Sequence, residues 1–152
     1  MSKRGWLVAF GSTALGLLGI GCGGSNESAT VSKADFISGG DKICVDTVRK
    51  QASVYEEIVS ESKGTEISAA DGKAAEQELA DGVASSIEEM IDEFEELGAP
   101  AGKEEEVATM LEEYENGAEE SRADPRAFLT AEAFAAADAK AKELGLTKCD
   151  GI

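Results

Sequence analysis

Between Leu79 and Leu97 the apolar residues recur at steps of three or four, as Leu79, Val83, Ile87, Met90, Phe94 and Leu97, while glutamate and aspartate fill most positions between them. That period lays one apolar stripe along an α-helix and a charged face opposite it. A helix in water gains most of its stability from covering such a stripe. The rest of the fold must therefore supply helices to cover it, and the sequence does.

A first helix is expected from Ser32, a capping residue with Asp35 three positions on, to the "SKGT" at 62–65. Its inward residues by spacing are Ile37, Cys44, Val48, Tyr55 and Val59. Gly39, Gly40 and Asp41 leave two readings open: one helix with a close backbone contact at Gly40, or a short helix followed by a second one capped by Asp41. Gly98 terminates the helix at 79–97 and Pro100 follows it. A third helix is expected over 102–121, with Val107, Met110, Leu111 and Tyr114 inward and Glu104, Glu105 and Glu106 set against its N-terminal dipole. Asp124 caps a short turn begun by Pro125. Thr130 caps a last helix whose inward residues are Phe134, Ala137, Ala141 and Leu144, closed by Gly145 and the apolar Leu146. No stretch alternates as a strand does, and both prolines fall at helix boundaries. The expected fold is all-α, an antiparallel bundle of about four helices over residues 32–152.

Upstream, Lys3 and Arg4 precede an uncharged run from Gly5 to Ile20. The run is shorter than the roughly 20 apolar residues of a membrane span, and glycine, serine and threonine interrupt it. It reads as a cleaved export signal, residues 1–21, with Gly19 and Gly21 meeting the small-x-small requirement for a cut before Cys22. The segment "LLGIGC" at 17–22 resembles the lipobox of bacterial lipoproteins, although Gly19 stands where the usual motif has leucine. That resemblance implies lipidation of Cys22, by diacylglycerol and palmitate, at the head of a small polar linker, residues 22–31. Cleavage at the same place without a lipid stays open, since the site also suits an ordinary signal peptidase.

The chain has three cysteines, Cys22, Cys44 and Cys149. With Cys22 acylated the remaining two make an even pair in an oxidising compartment, which predicts a Cys44–Cys149 disulfide; two separate buried thiols are the alternative. A bond requires Cα atoms about 4.4–6.8 Å apart. It therefore predicts that the last helix runs beside the start of the first.

The net charge is −17 for the whole chain and −19 without residues 1–21, which hold two basic residues and no acid. Such a surface repels nucleic-acid phosphates and anionic lipid, so an ionic partner would be cationic, met on the acidic face between Glu88 and Glu120. The simpler role of the charge is solubility. No histidine is present, which removes Ser/His and Cys/His nucleophilic catalysis and the commonest zinc ligand. Carboxylate pairs such as Glu88 with Glu89 and Glu112 with Glu113 belong to the polar faces of helices, and the sole tryptophan, Trp6, lies in the signal. No D-x-D-x-D-G loop offers a calcium site, and neither "CGGS" nor "SGGD" has phosphate-loop spacing. The chain is therefore expected to be no enzyme, with no catalytic residues, no metal and no cofactor.

The stretches "ADFISGGDKIC", "ELGAPAGKEEEV", "ADPRAFL" and "AKELGLTKC" together resemble a group of small exported lipoproteins of high-GC Gram-positive bacteria. The resemblance implies a cell-surface, helical, disulfide-clasped protein on the extracytoplasmic face of the cell membrane, and carries over no active site. The function expected is a membrane-tethered interaction module for an envelope protein. The alternative is a carrier holding a small apolar ligand between helices.

Overall fold

The computed structural model describes residues 30–62, 69–129 and 132–152. The signal, Cys22, most of the linker and Thr130 itself lie outside the described residues. The first helix does end at Ser62, at the start of "SKGT", but the last begins at Ala135 with Phe134 at its N-cap, so Thr130 is not its cap. Five helices are present among the described residues: α1 (Lys33–Ser62), α2 (Ala69–Leu97), α3 (Glu104–Ala123), the short α4 (Pro125–Leu129) and α5 (Ala135–Leu144). They pack in sequence order, α1 on α2, α2 on α3 and α3 on α5, as an all-α bundle.

α1 opens as its sequence implies, with Ser32 Oγ accepting from the Asp35 N–H at 3.1 Å. It then runs unbroken through Gly39 and Gly40. A Cβ on Gly39 would lie 2.9 Å from Leu97, and one on Gly40 would lie 2.5 Å from Leu146 and 2.9 Å from Phe94. The glycines thus admit neighbours to the backbone instead of breaking the helix. The contacts also run in opposite senses, Gly39 meeting Leu97 and Val54 meeting Gly82, so α1 and α2 are antiparallel.

The inward face of α1 differs from the expected one. Phe36, Gly40, Ile43, Cys44 and Thr47 are buried, whereas Val48 and Tyr55 are 43% and 56% exposed. The buried stripe includes a glycine and a threonine, which apolar periodicity does not count. Thr47 is accommodated because its hydroxyl donates to the Ile43 carbonyl at 3.0 Å.

α2 follows its stripe: Val83, Ile87, Met90 and Phe94 are essentially fully buried. Gly98 ends it with a left-handed φ of 75°. Pro100 then pairs with Val31, which packs on the core. α3 buries Val107, Met110 and Tyr114 and continues through Gly117 and Ala118. There Gly117 meets Ala133 and Phe134, which are buried together with Ala137 and Ala141, while Ala135, Ala136 and Ala139 are exposed. The Asp124 carboxylate caps α4 by accepting from the Arg126 N–H at 3.0 Å.

Candidate functional site

Gly145 stops α5 with a φ of 97°, and the Leu146 N–H returns to the Ala141 carbonyl at 3.0 Å. The turn sends residues 146–149 across to α1. Leu146 is buried over Gly40, and Cys149 forms a disulfide with Cys44, their Cα atoms 5.0 Å apart. α5 itself packs on α3, so it is the tail beyond the helix, not the last helix, that lies against the first. The left-handed turn is the physical reason: it separates the direction of the tail from that of α5.

Asp41 completes this clasp in a role that sequence reading missed. Its Oδ1 accepts from the Thr147 and Lys148 N–H groups at 2.7 and 3.0 Å, and its Oδ2 from the Thr147 hydroxyl at 3.0 Å. Burial alone would raise the Asp41 pKa, but these hydrogen bonds and the Lys148 charge hold the carboxyl below its ordinary value. A depressed carboxylate contributes stability that is present above the unfolded value and lost as pH falls through the folded one. The stability difference between wild type and Asp41→Asn should thus be constant above about pH 5 and shrink in more acid solution. Denaturant melts across pH read it directly, and a difference that grows in acid would contradict the assignment.

A second carboxylate holds the chain end. Asp138 accepts from the Tyr114 hydroxyl at 3.0 Å and from the Gly151 N–H at 2.9 Å. Burial raises its pKa against these two bonds, and Asp150 adds to the rise. Burial, followed by the charge of Asp138, pushes the Tyr114 phenol up as well. Both groups serve the fold.

Among several surface recesses, one is a groove of about 400 Å³ between the C-terminal half of α2, the turn after it and the first half of α3. Ile91, Phe94, Val107 and Leu111 give it an apolar floor, and Glu95, Glu104, Glu112 and Glu115 line it with carboxylates. Four other acids of these helices are answered by cations. Lys50 bridges Glu89 and Glu93 at 3.0 Å each, Arg122 grips Glu88 with both guanidinium nitrogens, and Lys103 takes Glu106 at 2.7 Å. Those contacts hold the carboxyls of Glu88 and Glu106 below their ordinary values. Among the described residues, none of the four groove glutamates is in an ion pair.

Of the sequence-predicted site residues, Cys44 and Cys149 are brought together, and Cys22 lies outside the described residues. Among the described residues no three acidic or cysteine side chains converge as a metal site would require, and no helix is long and apolar enough to cross a membrane. Comparison with known protein families, with curated proteins and with solved structures finds no match to this chain.

Proposed function

We propose that the chain is an extracytoplasmic lipoprotein, held to the cell membrane by lipid on Cys22, whose helical domain docks a cationic segment of an envelope protein in the α2–α3 groove. The observation that carries this reading is the groove lining: an apolar floor with four carboxylates that, among the described residues, stand in no ion pair. A segment bearing lysine or arginine around an apolar anchor complements both. The groove contains no histidine or thiol, so it supplies no nucleophile with a base beside it. Val31, where the linker enters the domain, pairs with Pro100 in the turn beside the groove, so the docking surface lies at the tethered end.

The test uses a synthetic Lys/Leu amphipathic peptide as probe. Changing Glu104, Glu112 and Glu115 together to glutamine should weaken its binding about tenfold, and raising the salt should do the same, because exposed charges are screened beyond about 8 Å at physiological ionic strength. The same triple change at Glu76, Glu78 and Glu119, outside the groove, should have little effect. Equal loss from both triples would reduce the acidity to a general solubility device.

For the anchor, Cys22→Ala should move the protein from the membrane fraction to the medium or stall its processing. A variant that still fractionates with membranes in normally processed form excludes the lipid. The second reading, a carrier of a small apolar ligand, rests on the groove's volume, which lies in the range of ligand sites. Native mass spectrometry of the purified protein separates the two, since a carrier retains a bound small molecule.

A further inference from the structure

α1 carries two stripes. The first, through Phe36, Gly40, Ile43 and Thr47, is covered, and Val54 extends it against Gly82. The second starts one position further round, at Val48, and continues through Ala52 and Tyr55, all three exposed. Among the described residues Val48 and Tyr55 are the exposed large apolar side chains. Single exposed apolar residues are ordinary. Two of them seven positions apart, with an exposed alanine between them at a step of four and then three, have the spacing of a coiled-coil seam. The helix that packs on α1 in the monomer is α2, on the other stripe.

The charges beside the seam change sign along it. Arg49 follows Val48, and Glu56 follows Tyr55. Arg49 reaches Asp46 at 2.8 Å but keeps 74% of its side chain exposed, and Glu56 is exposed too.

We propose that this face of α1 pairs with the same face of a second copy, antiparallel, with Ala52 opposite Tyr55 of the other chain. In that register Arg49 falls two residues, about 3 Å along the axis, from Glu56 of the other copy and on the same side, within reach of its long side chain, and the two-fold axis repeats the pair. A parallel arrangement sets each Arg49 level with the other Arg49 and loses both ion pairs. The face is therefore complementary to itself in one orientation, and this singles out a second copy as the occupant. The seam is short against a standard protein interface, so the pairing is weak in dilute solution and forms where copies are concentrated. It uses a different element from the groove and stands independently of it.

The experiment uses the full chain carrying either Ala52→Cys or Tyr55→Cys, the two proteins mixed at about 1 mM, comparable to tethered effective concentrations. They are oxidised, with the parent chain treated alongside to give the background from Cys22. A disulfide needs Cα atoms about 4.4–6.8 Å apart, so the mixed 52–55 dimer should exceed its statistical share over 52–52 and 55–55 dimers. Arg49→Glu in both proteins should lower its yield about tenfold, and adding Glu56→Arg should restore it. Same-residue dimers in excess, no dimer above the parent background, or a charge swap that restores nothing would each overturn the proposal.

Discussion

Replacing Cys149 with serine, or reducing its bond to Cys44, should cost the helical domain about 2–5 kcal/mol of stability. The bond closes a loop across a sequence separation of 105 residues. In the chain-entropy model a loop of about that length removes roughly 4.7 kcal/mol of unfolded-state freedom. The native geometry already holds the two segments together without the bond, since Leu146 is buried over Gly40 and Asp41 binds the Thr147 and Lys148 amides. Loss of the sulfur link should therefore lower the unfolding midpoint without abolishing helical content. Guanidinium melts with and without reductant measure it, with circular dichroism as the readout. Because Asp41 and Cys149 secure the same tail, Cys149→Ser and Asp41→Ala should not be additive when combined. A change below about 0.5 kcal/mol on reduction, the scale of an ordinary surface substitution, would show that the bond contributes nothing the tail contacts lack.

Gly117→Ala should destabilise by about 1–3 kcal/mol although it improves the helix former. On intrinsic propensity alone, alanine in the interior of α3 would gain about 1 kcal/mol. A Cβ there would lie 2.5 Å from Phe134 Cδ1 and 2.6 Å from the Ala133 carbonyl oxygen. The second contact is backbone, so no rotamer change relieves it, and α3 would have to move away from the segment entering α5. Gly82→Ala is the comparison. Its Cβ would meet the Val54 side chain at 2.6 Å, and a methyl group can shift where a carbonyl cannot. The ordering expected in thermal or denaturant unfolding is Gly117→Ala well below Gly82→Ala. If Gly117→Ala is as stable as wild type, α3 and α5 are less closely packed than the structure has them.

Much of the architecture was legible from pattern. The α2 stripe from Val83 to Phe94 became the centre of the core, and Phe134, Ala137, Ala141 and Leu144 turned inward as spaced. Gly98 and Gly145 ended their helices in the left-handed conformation open to glycine at low cost. The cysteine pair was readable too, since a disulfide depends on which thiols exist as much as on where they lie.

Three features were not readable. On α1 the covering of Gly40 by Leu146 and Phe94 turned the buried face one position away from Val48 and Tyr55. Asp41 looked like a helix cap because its partners, Thr147 and Lys148, are more than a hundred residues away. The groove glutamates were hidden among 31 acids. Which of them stay unanswered depends on where Lys50, Arg122 and Lys103 come to rest, and that is settled only when the helices dock.

The division has one physical cause. Helix identity, helix ends and the apolar stripe depend on interactions within about four residues, so the sequence by itself determined an all-α chain with its stops at Gly98 and Gly145 and its core along α2. Close backbone approach, long-range hydrogen bonds and the pairing of surface charges depend on atoms brought together from distant positions. The tertiary structure alone therefore decided which side of α1 is buried, what Asp41 holds, and which carboxylates are left open around the α2–α3 groove.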